Sequence, residues 1–286
     1  MEFETILYSV QAGICTITLN RPDHLNTVTF RMIDELIEAV DRADRDDAVR
    51  AIVLSATGRV FSGGTDLKRE GGFGGDRPGY KALQGGSRDS GGALTIRIYD
   101  AMKPVIAAIN GPAVGIGATM LLPTDIRVAS KQARFAFPFV RRGILPESCS
   151  SWFLPRMVGI SRALAWTVTG RNIAVEEALA AGLVHEVVDH EAVLDRAMEL
   201  AREIATQCSP LSVALTRQAM WRGLDAEHPI EANRLESRAL AVLVPGADTR
   251  EGVEAFKQKR DPMFQTRIPR DLPGFVPWWP ARSFED

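Results

Sequence analysis

Hydrophobic and polar positions follow two different periods along the first two thirds of the chain. Short runs of apolar and β-branched residues at 6–19, divided at residues 11–13, and at 51–56 predict buried strands. Apolar residues at helical spacing between Phe30 and Asp44 predict an amphipathic helix. Val105 to Ile109 is a further run of strand length, preceded by Pro104. Strands alternating with helices predict an α/β fold.

After about residue 190 the pattern is helical only, with periodic segments at 192–207, 210–221, 229–243 and 249–259. The sequence therefore predicts an α/β core over residues 1–200 and a helical C-terminal region over residues 201–286. Nine glycines at 69–92 predict a mobile segment, either an active-site lid or a simple insertion. The Pro- and Trp-rich tail at 269–280 is predicted to lie against another surface.

Composition removes several classes of function. The 286 residues carry a net charge of −2 and no long Lys/Arg block, which disfavours a nucleic-acid surface. Three widely spaced cysteines show no metal-binding spacing, so we expect reduced thiols, no metal and a cytoplasmic protein. No apolar stretch reaches transmembrane length, so no membrane partner is expected.

Two small-residue turns follow strand-like runs, at 62–67 and at 115–118. Such turns leave backbone N–H groups unpaired and can bind an anion or a developing oxyanion. Gly115 and Gly117 fit only the first two glycines of GxGxxG, so a dinucleotide site is weakly supported. Spacing alone leaves open whether the two turns converge on one ligand.

The motifs together resemble the crotonase superfamily of enoyl-CoA hydratases and isomerases. They are NRP at 20–22, FSGGTDL at 61–67, KPVIAAING at 103–111, GIG at 115–117, LPR at 154–156, EALAAGLV at 177–184 and EGVEAF at 251–256. The resemblance implies a spiral of ββα units with a C-terminal helical trimerisation region. It also implies an acyl-CoA substrate, no separate cofactor because coenzyme A belongs to the substrate, and self-association as a trimer or a dimer of trimers.

By the same resemblance, the backbone N–H groups of Thr65 and Ile116 form the oxyanion hole. The family usually has glycine at the second position. Isoleucine keeps the N–H, although its side chain must point away from the thioester. Coenzyme A and substrate contacts are implied at His24, Leu25, Gly63, Asp66, Leu67, Lys68, Gly115, Phe139 and Lys259. Phe139 either lines the acyl pocket or packs in the core, and Lys259 either binds phosphate or is simply solvated.

Two departures from the family bear on the chemistry. Ordinary hydratases of the family hold water with two glutamates, and the matching positions here are Thr119 and Phe139, neither of which is acidic. Glu147 lies in LPESCSS, which resembles the PEGCSS segment of peroxisomal-type Δ3,Δ2-enoyl-CoA isomerases with Ser148 in place of glycine. In those enzymes this glutamate is the single catalytic base. The alternative role for Glu147 is to favour a helix start.

The sequence thus predicts proton transfer by Glu147 in the isomerisation of a 3-enoyl-CoA to a 2-enoyl-CoA. Hydration of a 2-enoyl-CoA is the nearest alternative, with Glu70, Asp76 or Asp89 as possible second acids. A protein that binds CoA esters or acts as a scaffold, without catalysis, is the alternative from another class.

Overall fold

A computed structural model describes residues 3–67, 89–282 and 284. The strands are β1 (Ile6–Gln11), β2 (Ile14–Leu19), β3 (Ala51–Ala56), β4 (Val105–Ile109), β5 (Ala113–Val114), β6 (Ile126–Ser130), β7 (Arg134–Ala136), β8 (Asn172–Ala174) and β9 (Glu186–Val188). The α-helices are α1 (Phe30–Arg45), α2 (Ser90–Asp100), α3 (Ile116–Thr119), α4 (Ser150–Val158), α5 (Ile160–Thr169), α6 (Val175–Ala180), α7 (Val193–Gln207), α8 (Pro210–Gly223), α9 (Pro229–Leu243) and α10 (Ala247–Gln258).

The larger sheet has the order β1-β2-β3-β4-β6-β9. β1 and β2 form an antiparallel hairpin, and every other pair in this sheet is parallel. β3 and β4 are buried along almost their whole length, which explains why both read as continuous apolar runs. Alternate residues of β3 face opposite layers: Ile52 packs in the core beside α1, whereas Val53 packs beside α7.

A second, three-stranded sheet has the order β5-β7-β8 and was not anticipated from the sequence. Its strands are two or three residues long, too short to show a period of two. An isolated parallel bridge between Ser62 and Ala113 connects the turn after β3 to this sheet. The small sheet therefore places the two predicted donor turns side by side.

The predicted flexible segment at 69–92 is too long at its C-terminal end. Gly91 and Gly92 lie in the first turn of α2, where the Asp89 side chain caps their N–H groups. Residues 68–88, and with them the predicted lid, lie outside the described residues. The division into regions at residue 200 stays a prediction, and that position falls within α7.

Helix α2 is fixed at its C-terminal end by a buried arginine from α8. The Arg217 guanidinium donates to the carbonyl oxygens of Ile98 and Tyr99, both at 2.9 Å, and to that of Ala101. It also pairs with Asp125 at 2.8 Å. These bonds give the carbonyl groups at the end of the helix a charged donor; Ile98 O also accepts from Ala101 N at 3.3 Å, and Tyr99 O and Ala101 O also accept from Gln218 Nε2.

The C-terminal tail packs against the helices, as predicted. Phe275, Trp278 and Trp279 join Leu211 and Leu215 of α8 in a separate apolar cluster. Within the described parts of the chain, none of the helices has the length and apolar character needed to cross a bilayer.

Replacing Arg217 by methionine is expected to lower the free energy of unfolding by about 3–5 kcal/mol, because Asp125 loses the cation of its ion pair and three buried carbonyl groups each lose a hydrogen-bond donor. The matched control is Arg270→Met, which breaks an exposed ion pair with Asp271 and should cost about 1 kcal/mol or less. Urea unfolding of the two variants measures the difference. Equal midpoints would contradict the role assigned to Arg217.

Candidate active site

The turns at 62–67 and 112–117 are joined by backbone hydrogen bonds. Ser62 donates to Pro112 O at 3.2 Å, and Val114 donates to Ser62 O at 3.0 Å. The two turns therefore hold a fixed register.

Glycine at position 64 permits this contact. Its φ is +92°, a region that side chains disfavour, and a Cβ built there would lie 2.8 Å from Val114 O. No other residue fits without moving one of the turns.

The Thr65 and Ile116 N–H groups have no hydrogen-bond acceptor among residues 3–67 and 89–282. Val28 donates to Gly64 O at 2.8 Å and accepts from Asp66 N at 3.0 Å. This pairing directs the Thr65 N–H away from Val28. Ile116 is the first residue of α3, where N–H groups lack partners within the helix. Neither N–H group is used within the described part of the chain, so both can donate to a ligand.

Both donor residues and Glu147 line a single cavity of about 120 Å³. Its apolar wall includes Val28, Phe30 and Ile33, and the Ile116 side chain contributes to the lining. The spacing of the motifs could not establish this convergence, and the folded chain brings the three predicted catalytic groups to one place.

The Glu147 carboxyl group is held by two hydroxyl groups. Thr119 donates to Oε1 at 2.8 Å, and Ser148 donates to Oε2. Each carboxylate oxygen accepts up to two hydrogen bonds, so each retains accepting capacity toward the cavity. Thr119 is completely buried, and it occupies a position at which the resemblance to hydratases implies an acid.

Burial and, to a smaller extent, the nearby Asp89 charge raise the pKa of Glu147, whereas the hydroxyl groups of Ser148 and Thr119 oppose the rise, and the resulting pKa is about 7. A pKa near neutrality suits a group that must both accept and return a proton. The two carboxyl oxygens contact hydroxyls rather than N–H groups of α4, and the alternative, in which the Glu147 charge favours the start of that helix, stays a prediction.

The other carboxylates of the cavity have different partners. Asp66 forms an ion pair with Arg21 at 3.1 Å. Asp89 accepts from three backbone N–H groups, those of Gly91, Gly92 and Ser148, at 3.0, 2.9 and 2.7 Å. Within the described lining, Glu147 is the carboxylate held by hydroxyl groups.

Most of the predicted coenzyme A and substrate contacts lie beside this cavity. A second cavity of about 70 Å³ shares Thr65 with the first and is lined by further predicted residues: Gly63, Leu67, Gly115 and Phe139. Leu25 O accepts from Gly63 N at 2.9 Å, which places His24 and Leu25 next to the same turn. Phe139 is 5% exposed and so both lines the cavity and packs in the core.

One predicted contact is not brought to this place. Lys259 ends α10 in a left-handed conformation and is exposed, and it lines neither of the two cavities. Lys68 lies outside the described residues.

The sequence reasoning did not single out Gly91, which packs directly on the Glu147 side chain. A Cβ at this position would overlap Glu147 Oε2 and Ser148 Oγ. The available signal was the order of residues at 89–98, in which an aspartate stands before the apolar positions Leu94 and Ile98. That order is typical of a helix start.

Comparison with known proteins agrees with this geometry. Residues 9–267 match the family described as enoyl-CoA hydratase/isomerase. The chain is 41% identical over 254 residues to the enoyl-CoA hydratase AFT3-1 of Alternaria alternata, covering 88% of this chain and 83% of that protein. It is 37% identical over 277 residues to the 1,2-epoxyphenylacetyl-CoA isomerase of Escherichia coli K12, covering 92% and 98%.

A solved structure shows the same fold. It is a probable enoyl-CoA hydratase/isomerase from Mycobacterium abscessus, with a TM-score of 0.84 and 30% identity over 91% of this chain and 98% of that one. The turns, the cavity and these similarities lead to one conclusion: this chain has the crotonase fold and belongs to the enoyl-CoA hydratase/isomerase family of enzymes.

Proposed function

We propose that this enzyme isomerises 3-enoyl-CoA thioesters to 2-enoyl-CoA thioesters, with Glu147 as the single base. The observation that carries the proposal is the cavity in which Glu147 faces the Thr65 and Ile116 turns. Supporting it, threonine and phenylalanine occupy the positions at which the sequence comparison expects the two hydratase glutamates.

The proposed reaction needs one carboxylate. Glu147 takes a proton from the carbon next to the thioester carbonyl, and the C–H electron pair moves toward the carbonyl oxygen to give a dienolate. The N–H groups of Thr65 and Ile116 stabilise that oxygen, each contributing about 3 kcal/mol to lowering the barrier. Glu147 then returns the proton to the γ carbon, which leaves the double bond conjugated with the carbonyl.

Hydration of a 2-enoyl-CoA is the second candidate, because the Alternaria relative carries the name of a hydratase. Glu147 would then deprotonate water, and another group would protonate the α carbon. The hydroxyl of Thr119 is already used as a donor to Glu147. Trimeric or hexameric assembly, a cytoplasmic location and the lack of a cofactor stay predictions from the sequence.

Replacing Glu147 by glutamine should lower kcat for 3-hexenoyl-CoA isomerisation by at least about a hundredfold, because the amide cannot accept the proton. The absorbance of the conjugated thioester product measures the rate. Glu176→Gln, an exposed substitution on α6, is the matched control and should retain wild-type turnover.

Three outcomes would contradict this proposal. Equal turnover by wild type and Glu147→Gln removes Glu147 as the base. Faster turnover of crotonyl-CoA to its hydrated product than of 3-hexenoyl-CoA favours a hydratase. No turnover of either thioester by the wild type favours a CoA-ester-binding protein without catalysis.

The raised pKa predicts a pH profile for the isomerase reaction. Glu147 must be ionised to act as a base, so kcat/KM should fall about tenfold per pH unit below pH 7 and level off above it. Initial rates at low 3-hexenoyl-CoA concentration across about pH 5 to 9 measure this profile. A pH midpoint near the usual carboxyl pKa would contradict the burial assigned to the Glu147 carboxyl group.

The same burial has an effect on stability. Glu147 has a pKa of about 7 in the folded protein against a usual value of 4.5, so stability present below pH 4.5 is lost as the pH rises to about 7. The loss is on the order of 2 kcal/mol, less than the full shift would give because part of the carboxyl group faces the open cavity.

Glutamine at position 147 never ionises, so Glu147→Gln should be more stable than wild type at pH 8 by a larger margin than at pH 5. Thermal unfolding of both proteins at the two pH values measures the margin, with Glu176→Gln as the control for loss of a surface charge. A margin that does not change with pH would contradict the burial of an ionised Glu147.

A further inference from the structure

We propose that Asp89 is a positioning residue for Glu147: from the start of α2 it fixes the Ser148 backbone, and the Ser148 hydroxyl in turn orients the Glu147 carboxyl group. This inference rests on the proposed function. It names residues that determine how the base is held and how it titrates.

Asp89 connects two segments that lie 59 residues apart in the chain. Asp89 Oδ2 accepts from Ser148 N at 2.7 Å and from Gly92 N at 2.9 Å, while Oδ1 accepts from Gly91 N at 3.0 Å. One carboxylate thus begins a helix and holds the loop that carries Glu147. An ordinary helix cap would need only the bonds to its own helix.

The loop that carries Glu147 has a backbone conformation that needs support. Ser148 and Cys149 have φ of 57° and 56°, in the left-handed region that residues with side chains seldom adopt. Ser148 is completely buried, and its hydroxyl donates to Glu147 Oε2. The bond from Ser148 N to Asp89 opposes relaxation of this turn to an ordinary conformation.

Helix α2 packs closely against Glu147 and Ser148 at Gly91. A Cβ at Gly91 would overlap both Ser148 Oγ and Glu147 Oε2, and it would lie 3.0 Å from Ile116 Cδ1. Helix α2 therefore packs on Glu147 more closely than a residue with a side chain would allow. Movement of Asp89 would move this wall and the Ser148 hydroxyl together.

The charges around Glu147 give the arrangement a signature in titration. Three carboxyl groups line the described cavity: Glu147, Asp89 and Asp66, of which Asp66 is paired with Arg21. The Asp89 charge raises the pKa of Glu147, whereas the hydroxyl groups of Ser148 and Thr119 lower it. Removal of Asp89 and removal of the Ser148 hydroxyl should therefore shift the pKa of Glu147 in opposite directions.

The experiment is a double-mutant cycle of Asp89→Asn and Ser148→Gly, assayed with 3-hexenoyl-CoA across the pH range. Asparagine cannot accept hydrogen bonds at its amide nitrogen, so Asp89→Asn loses part of the anchor as well as the charge. For Asp89→Asn we expect kcat to fall about tenfold with KM changed less than about threefold. We also expect the acid limb of the kcat/KM profile to move to lower pH by about half a pH unit or more.

Ser148→Gly should move the acid limb upward instead. Because Asp89 positions the base through Ser148, Asp89→Asn should lower kcat much less in the Ser148→Gly background than in the wild type. Asp189→Asn, an exposed aspartate paired with Lys131, is the matched control and should change neither kcat nor the profile. If Asp89→Asn does not fold, Asp89→Ser keeps a helix cap without the charge and tests the same expectations.

Several results would overturn the inference. Additive losses of kcat in the cycle would show that Asp89 acts independently of Ser148, for example as a second proton donor. Shifts of the acid limb in the same direction, or no shift, would remove the proposed electrostatic link. Glu147→Gln is assayed in parallel. If it is active, the proposed function fails along with the inference, and if it is inactive the results above test the positioning role alone.

Discussion

The site depends on a contact between two backbones at Gly64. Because this residue has no side chain, the turn after β3 can lie against Val114 O in the turn after β4. The approach brings N–H donors from two different turns to one cavity, which neither turn could do alone. Neighbouring parallel strands end at the same edge of a sheet, so the parallel pairing of β3 and β4 makes this approach of the two turns possible.

Exclusion of water around Glu147 acts on both halves of the proposed chemistry. It raises the pKa of the carboxyl group toward neutrality and makes N–H donors more effective toward a developing oxyanion. Thr119 and Ser148 limit the cost by donating to the two carboxyl oxygens. If Glu147 is the proposed base, its reactivity near neutral pH comes at the expense of stability when the carboxyl group ionises.

Much of the fold could be predicted because its strands and helices have clear periods. β1, β2, α1, β3 and β4 lie where the apolar patterns placed them, to within one or two residues. The small β5-β7-β8 sheet could not be predicted, since its strands are too short to show a pattern. Glycines 91 and 92 suggested a mobile segment because glycine disfavours helices, yet both lie in the first turn of α2, and at Gly91 the close packing on Glu147 requires a residue without a side chain.

The position of the candidate site was predictable where a motif carried it, since Glu147 and the two turns line one cavity, while their catalytic roles stay predictions. The supporting contacts of the site were not predictable, because they join residues distant in sequence. Thr119 and Glu147 are 28 residues apart, and Asp89 and Ser148 are 59 apart. Neither pair produces a local pattern that spacing could reveal.

The arginine that closes α2 has a consequence for the order of assembly. Asp89 fixes the start of this helix. The carbonyl groups at the end of the helix accept from Arg217, which lies 119 residues after Ile98 in the chain. During synthesis the ribosome completes both turns and Glu147 well before α8 exists. The carbonyl groups at the end of α2 therefore gain this donor only after the C-terminal helices have been made, so the helix that packs on Glu147 depends on the last third of the chain for its final contacts.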